Sequence, residues 1–196
     1  MKTGPYHHGA LREALLARAE QALEDKGPGE LSLRELARDL GVSPAAPARH
    51  FRTKRALFEA LALDGLNRLW TALVAAKDEA GESFADRLTS LTRTYLHFAA
   101  ANPALLDLMY SIKYDVTNSP DLAAAWQRMP TLSIQVIRDG QRRGEVREGP
   151  VEEIHGPLFA AMHGFVTLAV AGPLSPGTTE QGLKDVVAFI RRGCAP

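Results

Sequence analysis

Apolar residues recur along this chain three and four positions apart, the spacing of a buried helical stripe, and no stretch alternates apolar and polar residues as a half-buried strand does. Over residues 6–26, Leu11, Leu15, Ala19, Ala22 and Leu23 predict a first helix with one inward face, ended by Gly27-Pro28-Gly29. Leu33, Leu36, Ala37 and Leu40 predict a second, shorter helix. Ser32 and Glu35 mark its start as a capping box: the serine accepts from a free N–H of the next turn and the glutamate reaches back. Gly41 sits where that helix must stop, because glycine takes a left-handed cap at little steric cost, and Val42 is placed to plug the turn. Ser43 then predicts an N-cap and Pro44 a first helical position, where a missing N–H costs nothing. Thr53 caps a fourth helix to about Lys77, with Leu57, Leu61, Leu66, Leu69 and Leu73 on its apolar side.

Further caps follow in a regular series. Ser83 with Asp86 opens a helix to about Ala101, and Asn102-Pro103 opens a short one through Ile112. Ser119-Pro120-Asp121 repeats the device for a helix to about Arg143, closed by Gly144. Gly149-Pro150-Val151-Glu152 opens another to about Ala171, and Pro176 to Glu180 opens the last, ending near Arg192. The expected fold is all-α, with about nine helices and no internal repeat. The boundary is expected inside the fourth helix, giving a first domain over residues 1–61 and a second over 62–196.

The second and third helices, joined by a tight turn at Gly41, have the layout of a DNA-binding helix-turn-helix. In that geometry the later helix of the pair enters the major groove, so its N-terminal residues Ser43, Pro44, Ala45, Ala46 and Pro47 are the candidates for reading bases. Only Ser43 among them has a polar side-chain atom, and it is expected to be occupied as the cap. Ala45 and Ala46 suit thymine methyl groups better than hydrogen-bond readout. Arg49 is the best remaining donor, to guanine or to a phosphate. Tyr6-His7-His8-Gly9 is either a phosphate neighbour or a frayed end.

The segment YHHGALREALLARAEQALEDKG, followed by LSLRELARDLGVSPAAPARHFRTKRALFEAL, resembles the N-terminal domain of the tetracycline-repressor (TetR) family of bacterial regulators. Glycine, valine, serine, the His-Phe pair and the lysine after it recur in order. The resemblance implies an all-helical homodimer whose second domain binds a small molecule and so loosens the grip on double-stranded operator DNA. It also implies a phosphate contact from Lys54, at a helix N-terminus whose own N–H groups add to the contact, with His50 and Thr53 as further candidates on the DNA side. One position departs from the family pattern. The tyrosine that usually precedes Arg-His-Phe, and whose hydroxyl holds a phosphate, is Ala48 here.

Charge refines this picture. Net charge is zero, with 23 Lys and Arg against 23 Asp and Glu, but residues 1–60 hold 10 cations and 8 anions and residues 61–196 hold 13 and 15. Arg49, Arg52, Lys54 and Arg55 form a basic run, enough for a local phosphate contact without a global field. Cys194 is the one cysteine, which suits a reducing cytoplasm. No signal-like core opens the chain and no apolar run is long enough to span a bilayer, so no membrane partner is expected.

Tyr95, Phe98, Met109, Tyr110, Tyr114, Trp126 and Met129 bring aromatic and methionine side chains together at helical spacing. Such residues read first as core. The resemblance makes them, with Phe159 and His163, the lining of a cavity for a small, largely apolar or aromatic effector. Gly156, Ala160 and Gly164 stand at i, i+4 intervals, a ridge that lets another helix approach closely. With Val186, Phe189 and Ile190 on the last helix they are expected to form a dimerisation surface, the alternative being packing within one subunit. The segment AAMHGFVTL also resembles a C-terminal subgroup marked by a His-Gly pair, here His163-Gly164.

No Gly-rich phosphate loop, H-E-x-x-H or G-x-S-x-G is present, so no enzyme, cofactor or metal is expected. His155 and His163 are too far apart along a helix to share one ion unaided. The leading expectation is a repressor that acts as a homodimer on a pseudo-palindrome. The alternative is a ligand-binding or protein-interaction module of the same fold with weak DNA binding, which Ala48 favours.

Overall fold

A computed structural model describes residues 8–172 and 176–196 of the chain. The described residues form eight α-helices and one 3-10 turn, and no strand. The helices are α1 (His8–Glu30), α2 (Leu33–Asp39), α3 (Lys54–Glu79), α4 (Phe84–Ala101), α5 (Pro103–Ile112), α6 (Pro120–Arg142), α7 (Val151–Val170) and α8 (Pro176–Cys194). The all-α expectation holds, and the expected third helix is the 3-10 turn Pro47–Arg49. Two compact units result. One is the chain up to Leu66 with Asn102–Ala125, and the other is Asn67–Ala101 with Trp126–Pro196.

In the first unit, Leu15, Ala19, Leu23, Leu36, Ala37, Leu57 and Leu61 of the stripes that periodicity assigned to the interior are buried, as is Phe51, while Leu11, Leu33 and Leu40 of those stripes are half-buried. Gly27 breaks α1 with φ +75°, and Gly41 closes α2 with φ +65°, both in the left-handed region. The N–H of Val42 returns to the Ala37 carbonyl at 3.0 Å, leaving Val42 half-buried under the turn. The Ser32 Oγ accepts from the Glu35 N–H at 3.2 Å. The reciprocal half of the capping box is replaced by an ion pair, since the Glu35 carboxylate takes the Lys26 ammonium at 2.7 Å. That contact holds the Glu35 carboxyl below, and the Lys26 ammonium above, their usual ranges.

The linear boundary at residue 61 does not contain α5, which closes the first unit from a distance in sequence. Glu24 of α1 accepts from the Ala104 N–H at 3.1 Å, so the start of α5 is capped by a carboxylate rather than by the side chain of Asn102. A Cβ on Gly65 would lie 2.9 Å from the Met109 sulfur and 3.1 Å from Leu105, which is how closely α5 packs on α3. Arg55 pairs with Glu59 at 2.9 Å and with Asp115, and reaches Asn118 at 3.1 Å. The Thr117 hydroxyl first, then its N–H and Arg55, hold the Asp115 carboxyl down at about 2.

In the second unit one core joins Phe84, Leu88, Leu91, Leu132, Val136, Ile137, Val146, Val151, Ile154, Leu158, Val187 and Ile190. Ser83 caps α4 as expected, its Oγ accepting from the Asp86 N–H at 3.0 Å. Gly144 ends α6 with φ +69°, and the Glu145 N–H returns to the Gly140 carbonyl at 2.9 Å. A Cβ at Gly140 would stand 2.6 Å from Val146 Cγ2 and 3.3 Å from Phe84. Alanine at a helical glycine gains up to about 1 kcal/mol in propensity. Overpacking a stiff, buried valine costs about 1–3 kcal/mol, so Gly140→Ala is expected to lower stability by about 1–2 kcal/mol. Urea denaturation checks this, and a gain in stability would show that the turn yields.

Candidate nucleic-acid interface

The segment after Gly41 is built by what its prolines lack. Pro47 has no N–H to return to the Ser43 carbonyl, so that carbonyl takes the Ala46 N–H instead, at 2.9 Å. The next bonds follow the same tighter register, Arg49 N–H to Ala46 carbonyl at 3.2 Å and His50 N–H to Pro47 carbonyl at 2.9 Å. The regular α-helix expected to open at Ser43 and Pro44 is therefore not formed. The chain makes a turn and one 3-10 step, and the Phe51 N–H closes it onto the Pro47 carbonyl at 2.8 Å.

Exposure sorts the candidate residues. Ser43, Pro44, Ala45, Ala48 and Arg49 are exposed, Ala46 and His50 are half-buried, and Pro47 is buried. Pro47 thus belongs to the interior of the first unit and not to the outward face on which it was expected. Thr53 Oγ1 accepts from the Ala56 N–H at 3.1 Å and so caps α3. Lys54 donates to the Gly29 carbonyl at 2.8 Å and lies 5.4 Å from the Phe58 ring centroid, so part of its ammonium is engaged within the domain. Arg52 is exposed, and no Asp or Glu occurs between Asp39 and Glu59. Tyr6 and His7 lie outside the described residues.

The cavity candidates divide between the units. In the second, Tyr95 is buried and its hydroxyl shares a hydrogen bond of 2.7 Å with His163 Nδ1. The His163 ring stacks on Phe159, centroids 5.5 Å apart, and Phe159 on His155 at 6.0 Å. Phe98, Trp126 and Met129 of the same unit are half-buried. His155 was considered only as a metal ligand; its i, i+4, i+8 spacing with Phe159 and His163 was the available signal for this stack. In the first unit Met109 is fully buried core, Tyr110 is half-buried, and Tyr114 is 83% exposed beside Lys113. Tyr114 is thus a surface residue of its unit rather than an enclosed one.

Among the dimerisation candidates, Gly156 and Ala160 are exposed, Gly164 is half-buried, and neither glycine has an atom within 4 Å of an added Cβ. Phe189 is 62% exposed and Val186 is half-buried. Ile190 is 3% exposed and belongs to the intrachain core, because it falls on a different side of α8 from Phe189.

A capped helix, a left-handed glycine turn and an exposed basic segment define a helix-turn-helix protein, here joined to a second helical unit. Residues 15–61 match the bacterial regulatory proteins of the tetR family, and residues 88–190 match the tetracyclin repressor-like C-terminal domain. The second match alone covers more than half of the 196 residues, and the chain belongs to this family. A protein of unknown function from Rhodococcus sp. RHA1 is 39% identical, covers 99% of this chain and 100% of its own, and has a TM-score of 0.90. The nucleoid occlusion factor SlmA of Vibrio campbellii is 28% identical over 165 residues, 79% of this chain and 83% of that one. The TetR family transcriptional regulator PfmR of Thermus thermophilus shares the fold at 21% identity and a TM-score of 0.72, over 91% of this chain and 97% of its own. No helix among the described residues is long and apolar enough to cross a membrane.

Proposed function

We propose that this chain is a cytoplasmic repressor that binds a pseudo-palindromic operator as a homodimer and is released by a small, largely apolar or aromatic effector. The observation that carries the reading is the exposed set Ser43, Pro44, Ala45 and Ala48 beside Arg49 and Arg52, on a stretch that carries no carboxylate. With Pro47 buried, base contacts fall to Ser43, Pro44, Ala45, Ala46 and Arg49, and phosphate contacts to His50, Thr53 and Lys54. Two such heads in successive major grooves would stand about 34–36 Å apart. The Tyr95–His163 hydrogen bond and the ring stack beside it support a cavity that holds an aromatic compound with one or two fixed polar groups. The His163-Gly164 pair supports membership of the His-Gly subgroup.

Selection of bound duplexes from a random DNA pool, in low and moderate salt, tests the reading. Enrichment of an inverted repeat is expected, and effector then lowers operator affinity by the factor by which operator lowers effector affinity. Sequence-blind retention, or none, would instead favour the ligand-binding or protein-interaction module, the reading that Ala48 supports.

The ridge Gly156, Ala160 and Gly164, with exposed Phe189 and partly exposed Val186, is assigned to the dimer interface. Gly156→Leu meets no atom of its own chain at Cβ, so the monomer fold is expected to survive while close helix approach is blocked. Sedimentation is expected to shift from dimer to monomer by at least tenfold in dissociation constant. An unchanged dimer would remove the ridge from the interface.

A further inference from the structure

We propose that Arg12 of α1 is a phosphate-binding residue of the DNA interface, held in place by the ring of Phe51. The inference rests on the DNA-binding reading above and adds to it a residue that motif matching does not reach. The Arg12 guanidinium carbon lies 5.6 Å from the centroid of the Phe51 ring. Phe51 is 2% exposed, and its backbone is closed onto Pro47, so the ring is a fixed platform at the end of the 3-10 turn. Attraction between a cation and an aromatic face restrains a long side chain that would otherwise sample many rotamers. Arg12 itself is exposed.

Several other cations around the helix-turn-helix are committed within the domain, whereas Arg49 and Arg52 are exposed like Arg12. Arg18 pairs with Asp39 at 2.7 Å, Lys26 with Glu35 at 2.7 Å, Arg55 with Glu59 at 2.9 Å, and Lys54 donates to the Gly29 carbonyl at 2.8 Å. Among the described residues no ion pair engages Arg12. Its platform is the residue between His50 and Arg52, so the Phe51 ring ties Arg12 of α1 to the basic run that holds Arg49 and Arg52, although Arg12 is distant in sequence. Ala48, exposed in the same turn, carries no group that can hold a phosphate, and Arg12 supplies that contact from the neighbouring helix. A planar guanidinium offers two parallel donors to phosphate oxygens, a geometry a lysine cannot match. Such a contact positions the domain without reading sequence.

The test is the full-length protein, with Arg12→Gln and Arg12→Lys variants, titrated against the selected operator and a scrambled duplex over a range of salt. Melting curves establish that each variant is folded. Arg12→Gln is expected to weaken both duplexes alike, by about eightfold per bound subunit at 0.1 M salt, and to lower the salt slope by about 0.9 per subunit. Arg12→Lys is expected to restore the slope and part of the affinity. Folded Arg12→Gln with unchanged affinity and slope overturns the proposal. So does a loss confined to the operator at unchanged slope, which would make Arg12 a base reader. If wild-type protein binds neither duplex, the DNA-binding reading itself fails and this inference falls with it.

Discussion

Replacing Phe51 by alanine is expected to cost the first unit about 3–5 kcal/mol, the loss found when a fully buried aromatic leaves a cavity. Phe51 is 2% exposed and sits at the end of a segment too short to hold its shape alone. A single 3-10 step contributes few backbone bonds, so the conformation of residues 43–50 depends on what anchors its end. Phe51 is that anchor, and the same ring carries the Arg12 guanidinium. With a urea slope of about 2 kcal/mol per molar, the midpoint of the first unit should fall by roughly 1.5–2.5 M. Operator binding should be lost before bulk helicity is, since a cost of this size is a large part of a domain's total stability. Phe51→Leu, which refills most of the volume, is expected to recover more than half of the loss. A drop below about 1 kcal/mol in the alanine variant would show that the turn is held by something other than Phe51.

The second large effect is expected at Asp139. Its carboxylate takes the Arg87 guanidinium at 2.7 Å, with side-chain exposures of 11% for Asp139 and 18% for Arg87. Arg142 approaches the other carboxylate oxygen but is 71% exposed, and such a solvated pair contributes at most about 1 kcal/mol. The asymmetry decides the prediction. Removing one partner of a buried pair leaves the other charge without compensation, at about 3–5 kcal/mol, whereas replacing both by apolar groups is close to neutral. Asp139→Ala is therefore expected to destabilise the second unit by about 3 kcal/mol, and Arg87→Met in the same chain to return most of it. The buried Arg87 Nε has no hydrogen-bond partner of its own, which makes the Asp139 contact the one that offsets its burial. Thermal or urea unfolding of the single and double variants measures the coupling. Equal, additive losses would mean that the two charges do not depend on each other.

Local signals were legible in the sequence and nonlocal ones were not. The caps at Ser32, Thr53 and Ser83 and the stops at Gly27, Gly41 and Gly144 were assigned at their observed positions. Each depends on residues within one helical turn, where spacing and backbone preference decide the outcome. The 3-10 turn was open to the same logic, since two prolines three residues apart remove the donors that an α-helix would need, yet Ser43 as a cap and Pro44 at a first position pointed to a regular helix. The face of α8 was half right, with Phe189 outward and Ile190 in the core.

The remaining features join residues far apart in the chain. Glu24 capping α5, the Tyr95–His163 bond across 68 positions, and Arg12 on the Phe51 ring each require two separate segments to be placed side by side. Helical periodicity states which face of a helix turns inward but not which neighbour it meets, because a stripe of leucine and alanine packs against many others at nearly the same free energy. The sequence by itself determined the helices apart from the third, most of their ends and the family of the helix-turn-helix. Only the tertiary structure decided which cations remain available to a phosphate and which aromatic rings stand together. Those choices depend on distances of a few ångströms between helices, over which Coulomb and stacking energies change most steeply.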